Sequence, residues 1–96
     1  MNTNKIIHYD SNQKKLSGTI LSKAKRFVSL NKVIRLTLYM WKIEPIKGYN
    51  KTTHYVEYSP IDHKFICDCQ YNQITGRTCS HIQAVLLKEG IKNERL

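Results

Sequence analysis

Four residues in the C-terminal third of this 96-residue chain constrain its fold more than any other feature: Cys67, Cys69, Cys79 and His81. They read C-D-C, nine intervening residues, then C-S-H. Three thiolates and one imidazole form a complete tetrahedral donor set for zinc, with no coordination position left over for water or substrate. A closed set of this kind holds a fold together and performs no chemistry of its own. The expected cofactor is therefore one structural Zn2+, and the expected class is a small recognition module rather than an enzyme.

The same cysteines make a poor disulfide framework. There are three, all inside the cluster, so they cannot pair completely within one chain. Two cysteines separated by a single residue also sit badly for a bridge that prefers a Cα separation of about 5.5–6 Å. Residues 1–10 are polar and lack the apolar segment of a secretory signal. Reduced thiols on zinc fit an intracellular, cytoplasmic setting.

The spacing has mechanical consequences. Cys67 and Cys69 are two apart, so both leave the same face of an extended segment. Phe65-Ile66 before them favour a strand, and Asp68 between them suits the point where that strand rolls into a turn. Cys79 and His81 are too close to share a helical face, so Cys79 should precede a helix and His81 should lie in its first turn. Helix amides aimed at Cys79 would then lower its pKa. Ile82, Val85, Leu86 and Glu89 recur at three and four residues, and Gly90 supplies a stop. Upstream, Tyr55–Tyr58 reads as a strand, Ser59–Asp62 as a turn, and Lys64–Cys67 as the returning strand.

The pattern Cys67-Asp68-Cys69, then Gly76-Arg77-Thr78-Cys79-Ser80-His81-Ile82-Gln83-Ala84-Val85-Leu86-Leu87, resembles the SWIM zinc finger, a C-x-C, a variable spacer and a C-x-H opening an Ile/Val/Leu-rich helix. The resemblance covers about Tyr55 to Ile91, less than half the chain, and all four ligand positions match. It implies a zinc-stapled ββα core and a DNA or protein ligand. Such modules occur in transposase-linked and helicase-associated proteins and in partners of recombinase paralogues. Unlike many relatives, this chain carries no large second domain.

Ninety-six residues make a single domain, able to bury only about 60–65% of its unfolded surface. With so small a core, metal affinity becomes a major folding term. No apolar run approaches the roughly 20 residues of a membrane span. The division expected is a basic helix–strand extension over 1–53, a SWIM-like zinc module over 54–91 and a tail over 92–96. Charge divides the chain along similar lines. Residues 1–61 hold eleven Lys and Arg against Asp10, Glu44 and Glu57, a net +8, while residues 62–96 net only +1.

In the N-terminal half, Leu16, Ile20, Ala24, Phe27 and Val28 recur near 3.6 residues, predicting a helix from Lys14 to Leu30 capped by Ser11 or Ser17. From Lys32 to Ile46 the residues are β-branched and aromatic, predicting one strand with Leu36, Leu38 and Met40 on one face and Arg35, Thr37 and Tyr39 on the other. The fold class expected is α+β: a small antiparallel sheet of three strands, with an N-terminal helix and the helix of the zinc module covering one face.

Cations interleaved with Tyr39, Trp41, Tyr49, Tyr55 and Tyr58 are the ingredients of a nucleic-acid surface, RNA or DNA. The phosphate contacts expected are Lys14, Lys15, Lys23, Lys25, Arg26 and Arg35. His8, His54 and His63 read as surface or strand residues, since four ligands already saturate zinc. No phosphate loop, nucleophile elbow or deaminase pairing is present, so no catalytic residue is assigned. Two functions fit. One is a nucleic-acid-binding subunit or accessory factor of a nucleoprotein complex such as a ribosome. The other is a SWIM-type adaptor between proteins, as for recombinase paralogues, with purely structural zinc. The net +8 favours the first, because an adaptor has no need of it.

Overall fold

The β-rich segment after the first helix folds back on itself, and this determines the sheet. A computed structural model describes residues 18–91. In chain order these form α1 (Gly18–Ser29), β1 (Val33–Thr37), β2 (Met40–Ile43), β3 (His54–Ser59), β4 (Lys64–Cys67), α2 (Gln70–Thr75) and α3 (Ser80–Glu89). The strands make one antiparallel meander in the order β1-β2-β3-β4. The fold is α+β as expected, with four strands instead of three and with α2 occupying the spacer between the ligand pairs. The sheet also runs across the expected 53/54 division, since β2 pairs directly with β3.

The single strand expected over Lys32–Ile46 is thus a hairpin. Val33 pairs with Ile43 and Arg35 with Trp41, and the register shifts between Arg35 and Thr37. The turn contains no Gly, Pro, Asn or Asp, and its one local signal is the weak one of Thr37, whose Oγ1 accepts from Tyr39 N–H at 3.3 Å. Arg35 closes it instead, donating from Nη2 to the Leu38 carbonyl at 2.6 Å and from Nε to the Thr37 carbonyl at 3.2 Å. Folding back also corrects the expected faces. Leu36 and Leu38 are 45% and 46% exposed, while Val33, Trp41 and Ile43 enter the core.

One sheet face carries Val33, Trp41, Ile43, Val56, Tyr58, Phe65 and Cys67, all buried. α3 lies over this face, touching β1, β3 and β4, and α1 packs chiefly along α3. Ala24 and Phe27 of α1 join Ile82, Val85 and Leu86 of α3 in the same core. The predicted start of the first helix, with Lys14, Lys15, Leu16 and both candidate caps, lies outside the described residues. Its end is a Schellman motif: Lys32 N–H donates to the Phe27 carbonyl and Asn31, at φ 59°, donates to that of Val28. α3 closes the same way, through Gly90 at φ 69° and Ile91 N–H on the Leu86 carbonyl at 2.9 Å.

Trp41 is fully buried, so its indole N–H needs an acceptor. Glu89, the last residue of α3, supplies it at 2.9 Å through Oε2 and takes the Arg35 guanidinium at 3.2 Å through Oε1. The Arg35 guanidinium also lies 5.0 Å from the Trp41 ring centroid. One carboxylate therefore ties α3 to the β1–β2 hairpin. Replacing it with alanine (Glu89→Ala) leaves the indole N–H and the guanidinium without their acceptor. The expected cost is about 2–3 kcal/mol, read as a drop in urea midpoint and a melting shift of about 10 °C or more. Glu89→Gln, which keeps an acceptor for Trp41, should lose less.

Candidate metal centre

Each of the four predicted ligands stands at the end of an element, so the fold brings them together from three directions. Cys67 ends β4, Cys69 is the N-cap of α2, Cys79 is the N-cap of α3, and His81 lies in the first turn of α3. Both capping cysteines act through sulfur: Cys69 Sγ accepts from Asn72 N–H at 3.5 Å and Cys79 Sγ from Ile82 N–H at 3.4 Å. Sulfur here does the work that a Ser or Asp oxygen does at an ordinary N-cap, and helix amides favour negative charge on it. The strand-to-turn placement of the first pair and the cap placement of the second are as the spacing predicted.

The donor atoms of Cys67, Cys69, Cys79 and His81 all lie within 4.8 Å of one another, and this cluster can hold one metal ion. The three cysteines are buried and free, with no disulfide among them. His81 turns Nδ1 inward, 3.6 Å from Cys67 Sγ and 3.8 Å from Cys79 Sγ. Its ring is held on two sides, by Phe27 of α1 at a centroid distance of 5.4 Å and by His54 of β3 at 4.3 Å.

The proton affinities of the sulfurs diverge, and at Cys79 the α3 amide lowers the pKa as the sequence predicted, against larger opposing effects. At Cys69, thiol hydrogen bonds from Cys67 and Cys79 carry the pKa far below the ordinary thiol range. Cys67 moves far above that range, because its side-chain bonds with Cys69 and Cys79 hold its proton and burial disfavours the thiolate. At Cys79 the bond with Cys67 pulls downward, but the bond with Cys69 and burial outweigh it, and the pKa is pushed up to about 12. The α3 amide on Cys79 contributes only a small lowering beside these thiol neighbours. A metal entering the cluster displaces the protons of Cys67 and Cys79, so acid opposes binding.

Two residues that the sequence did not single out complete the centre. Asn72 is buried; its Oδ1 accepts from Cys67 N–H at 2.9 Å, and its Nδ2 donates to the Arg77 carbonyl at 2.8 Å. It thus bridges the strand bearing the first ligands to the segment leading into the second pair. Nothing in Q-Y-N-Q-I-T marks it, since its role depends on α2 forming. His54, expected as a surface or strand residue, stacks on His81 and pairs with Asp68 at 2.8 Å from Nδ1 to Oδ1. The β3–β4 register, with Val56 opposite Cys67, carries His54 to the level of the C-D-C segment. That register was the available signal. His54, Cys67 and Asp68 also form a looser group of potential donors sharing Cys67 with the main cluster.

Of the six proposed phosphate contacts, three share one helix. Lys23, Lys25 and Arg26 lie on α1, Lys14 and Lys15 fall outside the described residues, and Arg35 is committed to the hairpin turn and Glu89. Of the aromatics, Trp41 and Tyr58 are core, Tyr39 packs against Tyr58, and Tyr49 and Tyr55 are exposed.

Fold and site together define a small α+β protein with a Cys3His cluster able to hold one metal ion. No family model, curated protein or solved structure matches the chain, so its functional reading rests on the geometry itself.

Asn72 gives that geometry a direct test. Asn72→Ala removes the side chain that fixes Cys67 N–H and the Arg77 carbonyl while leaving every ligand in place. Metal affinity should fall about 10- to 100-fold, the usual consequence of losing a partner that orients the ligands, as read by competition with a chromophoric chelator.

Proposed function

We propose that this protein is a non-catalytic, zinc-stapled nucleic-acid-binding protein, a cytoplasmic subunit or accessory factor of a nucleoprotein complex such as a ribosome. The zinc assignment rests on the donor chemistry and separations. A tetrahedral zinc with Zn–S of about 2.3 Å and Zn–N of about 2.0 Å has S–N edges of about 3.5 Å. The His81 nitrogen stands 3.6 and 3.8 Å from two of the sulfurs. Ligand types and order resemble the SWIM pattern, with the spacer folded here as α2. All four ligand positions come from the protein, which leaves zinc a structural ion and no site for activated water.

The observation that carries the nucleic-acid reading is the charge of α1. Its sequence, GTILSKAKRFVS, contains Lys23, Lys25 and Arg26 and no acidic residue. Among the described residues the ion pairs are Arg35–Glu89, Lys42–Glu44 and His54–Asp68, and no described carboxylate pairs with these three cations. Unneutralised positive charge concentrated on one helix favours a polyanion.

The metal has its own test. Native mass spectrometry should show one zinc per chain, and Cys79→Ser should lose it. Chelation should melt α1 together with the hairpin–helix half, because Phe27 of α1 packs on the ligand His81. Unchanged circular dichroism and melting after metal removal would make the ion incidental.

Binding is tested by salt titration of the zinc-loaded chain on RNA and DNA. Affinity should fall steeply with salt, and the Lys23→Ala, Lys25→Ala, Arg26→Ala variant should lower the slope by about one for each phosphate contact removed. An unchanged slope in the triple variant, or no binding by the wild type at low salt, would favour the protein adaptor instead.

A further inference from the structure

The β2–β3 connection carries a feature that neither the metal centre nor a bland cationic helix explains. It is a closed, self-bonded loop. Ile46 is buried and its carbonyl accepts from Tyr49 N–H at 2.9 Å and Asn50 N–H at 3.0 Å. Asn50 Oδ1 returns the bond, accepting from Ile46 N–H at 2.7 Å. Gly48 turns the chain at φ 80°, a left-handed conformation that strains other residues.

This construction holds one aromatic ring at the surface. Tyr49 is 41% exposed, yet its ring is fixed edge-on against the buried Phe27, with centroids 6.4 Å apart and planes at 68°. Two α1 cations converge on the same ring. The Arg26 guanidinium lies 5.6 Å from its centroid and the Lys23 ammonium 6.0 Å. Lys47 and Lys51, both exposed, stand two residues to either side of Tyr49 in the loop. The one carboxylate of the connection, Glu44, pairs with Lys42 at 3.5 Å.

Such an arrangement makes little sense as a stabilising device. Like charges one helical turn apart repel, and cation–π contacts near the outer limit of about 6 Å at an exposed site are weak. It makes good sense as a receptor. A rigid aromatic face loses little entropy when a planar group stacks on it, and loosely held cations are free to move onto phosphates. We infer that Tyr49, with Lys23 and Arg26, forms a subsite for single-stranded nucleic acid, the ring stacking on an unpaired base while the cations take the adjoining phosphates. This rests on the nucleic-acid reading above and narrows it. A paired base keeps its face inside the duplex, so only a single strand can use the tyrosine. Stacking accepts any base, so the subsite reads strandedness and not sequence.

The test uses the full zinc-loaded chain with fluorescent oligouridylate, oligothymidylate and a mixed-sequence duplex of equal length. Both single strands should bind more tightly than the duplex. Tyr49→Leu, which keeps an apolar contact for Phe27, should weaken single-strand binding by about tenfold or more and leave duplex binding unchanged. Tyr49→Trp should retain binding, and its emission should be quenched by either single strand, with the buried Trp41 giving a constant background. The Lys23→Ala, Arg26→Ala variant should lower the single-strand salt slope by about 1.4. Equal binding of single strand and duplex, full affinity in Tyr49→Leu, or an unquenched Tyr49→Trp would each overturn the subsite. Where Tyr49→Leu fails to fold by its melting curve, the Tyr49→Trp quench decides. Salt-dependent binding that ignores Tyr49 would sink the subsite and spare the broader reading, whereas no binding to any of the probes would sink both.

Discussion

The convergence of three thiols and one imidazole at the meeting point of β4, α2 and α3 is the constraint on which the rest of this structure depends. Each donor sits at the end of an element, where backbone direction is changing and helix amides are unsatisfied. The sulfurs of Cys69 and Cys79 fill those amide positions, so the same atoms cap helices and gather as potential ligands. Joining them through a metal links strand to helix at the point where a short chain has the least apolar surface to do so. The cluster also reaches beyond its own half. Phe27 packs on His81, and Tyr49 packs on Phe27, so the N-terminal helix and the loop beside it rest against a candidate ligand.

A second tie operates at the far end of α3. Glu89 accepts from both Trp41 and Arg35, bringing a charge pair to the edge of the core. Its side-chain exposure is 13%, against 22% for Arg35, so the pair is partly screened and is valuable mainly because its loss strands a buried indole N–H. The same clasp closes the β1–β2 turn, whose own local signal is the weak Thr37 hydroxyl. A surface cation by composition thus becomes an internal fastener.

The charge of the chain is therefore used in two ways. Arg35 and Lys42 are absorbed by nearby carboxylates, while Lys23 and Arg26 of α1 lie beside a surface aromatic and pair with no described carboxylate. Net charge reports only the total; which cations remain available to a polyanion depends on where the few acidic side chains land. Here Glu44 pairs with Lys42 and Glu89 with Arg35, so both carboxylates serve the β1–β2 hairpin.

Much of this was legible without coordinates, wherever the determining interactions are local. The ligand set, the strand leading into Cys67, the cap position of Cys79, the β3–β4 hairpin and the Gly90 stop all follow from residue type and near-neighbour spacing. The α1 stripe is read the same way, through Ala24 and Phe27. What required the tertiary structure is what depends on distant partners. The β1–β2 turn is closed by Arg35 in concert with Glu89, 54 residues away. Because that turn is only weakly marked locally, the alternation over Leu36–Met40 read as part of one continuous strand. Asn72 and His54 acquire their roles only once α2 forms and the hairpin register is established. The proton affinity of Cys79 is governed by two other sulfurs and by burial more than by its own helix. Local sequence determined the elements and the donors; contacts between residues far apart in the chain decided which side chains are core, which are free, and which hold the donors in place.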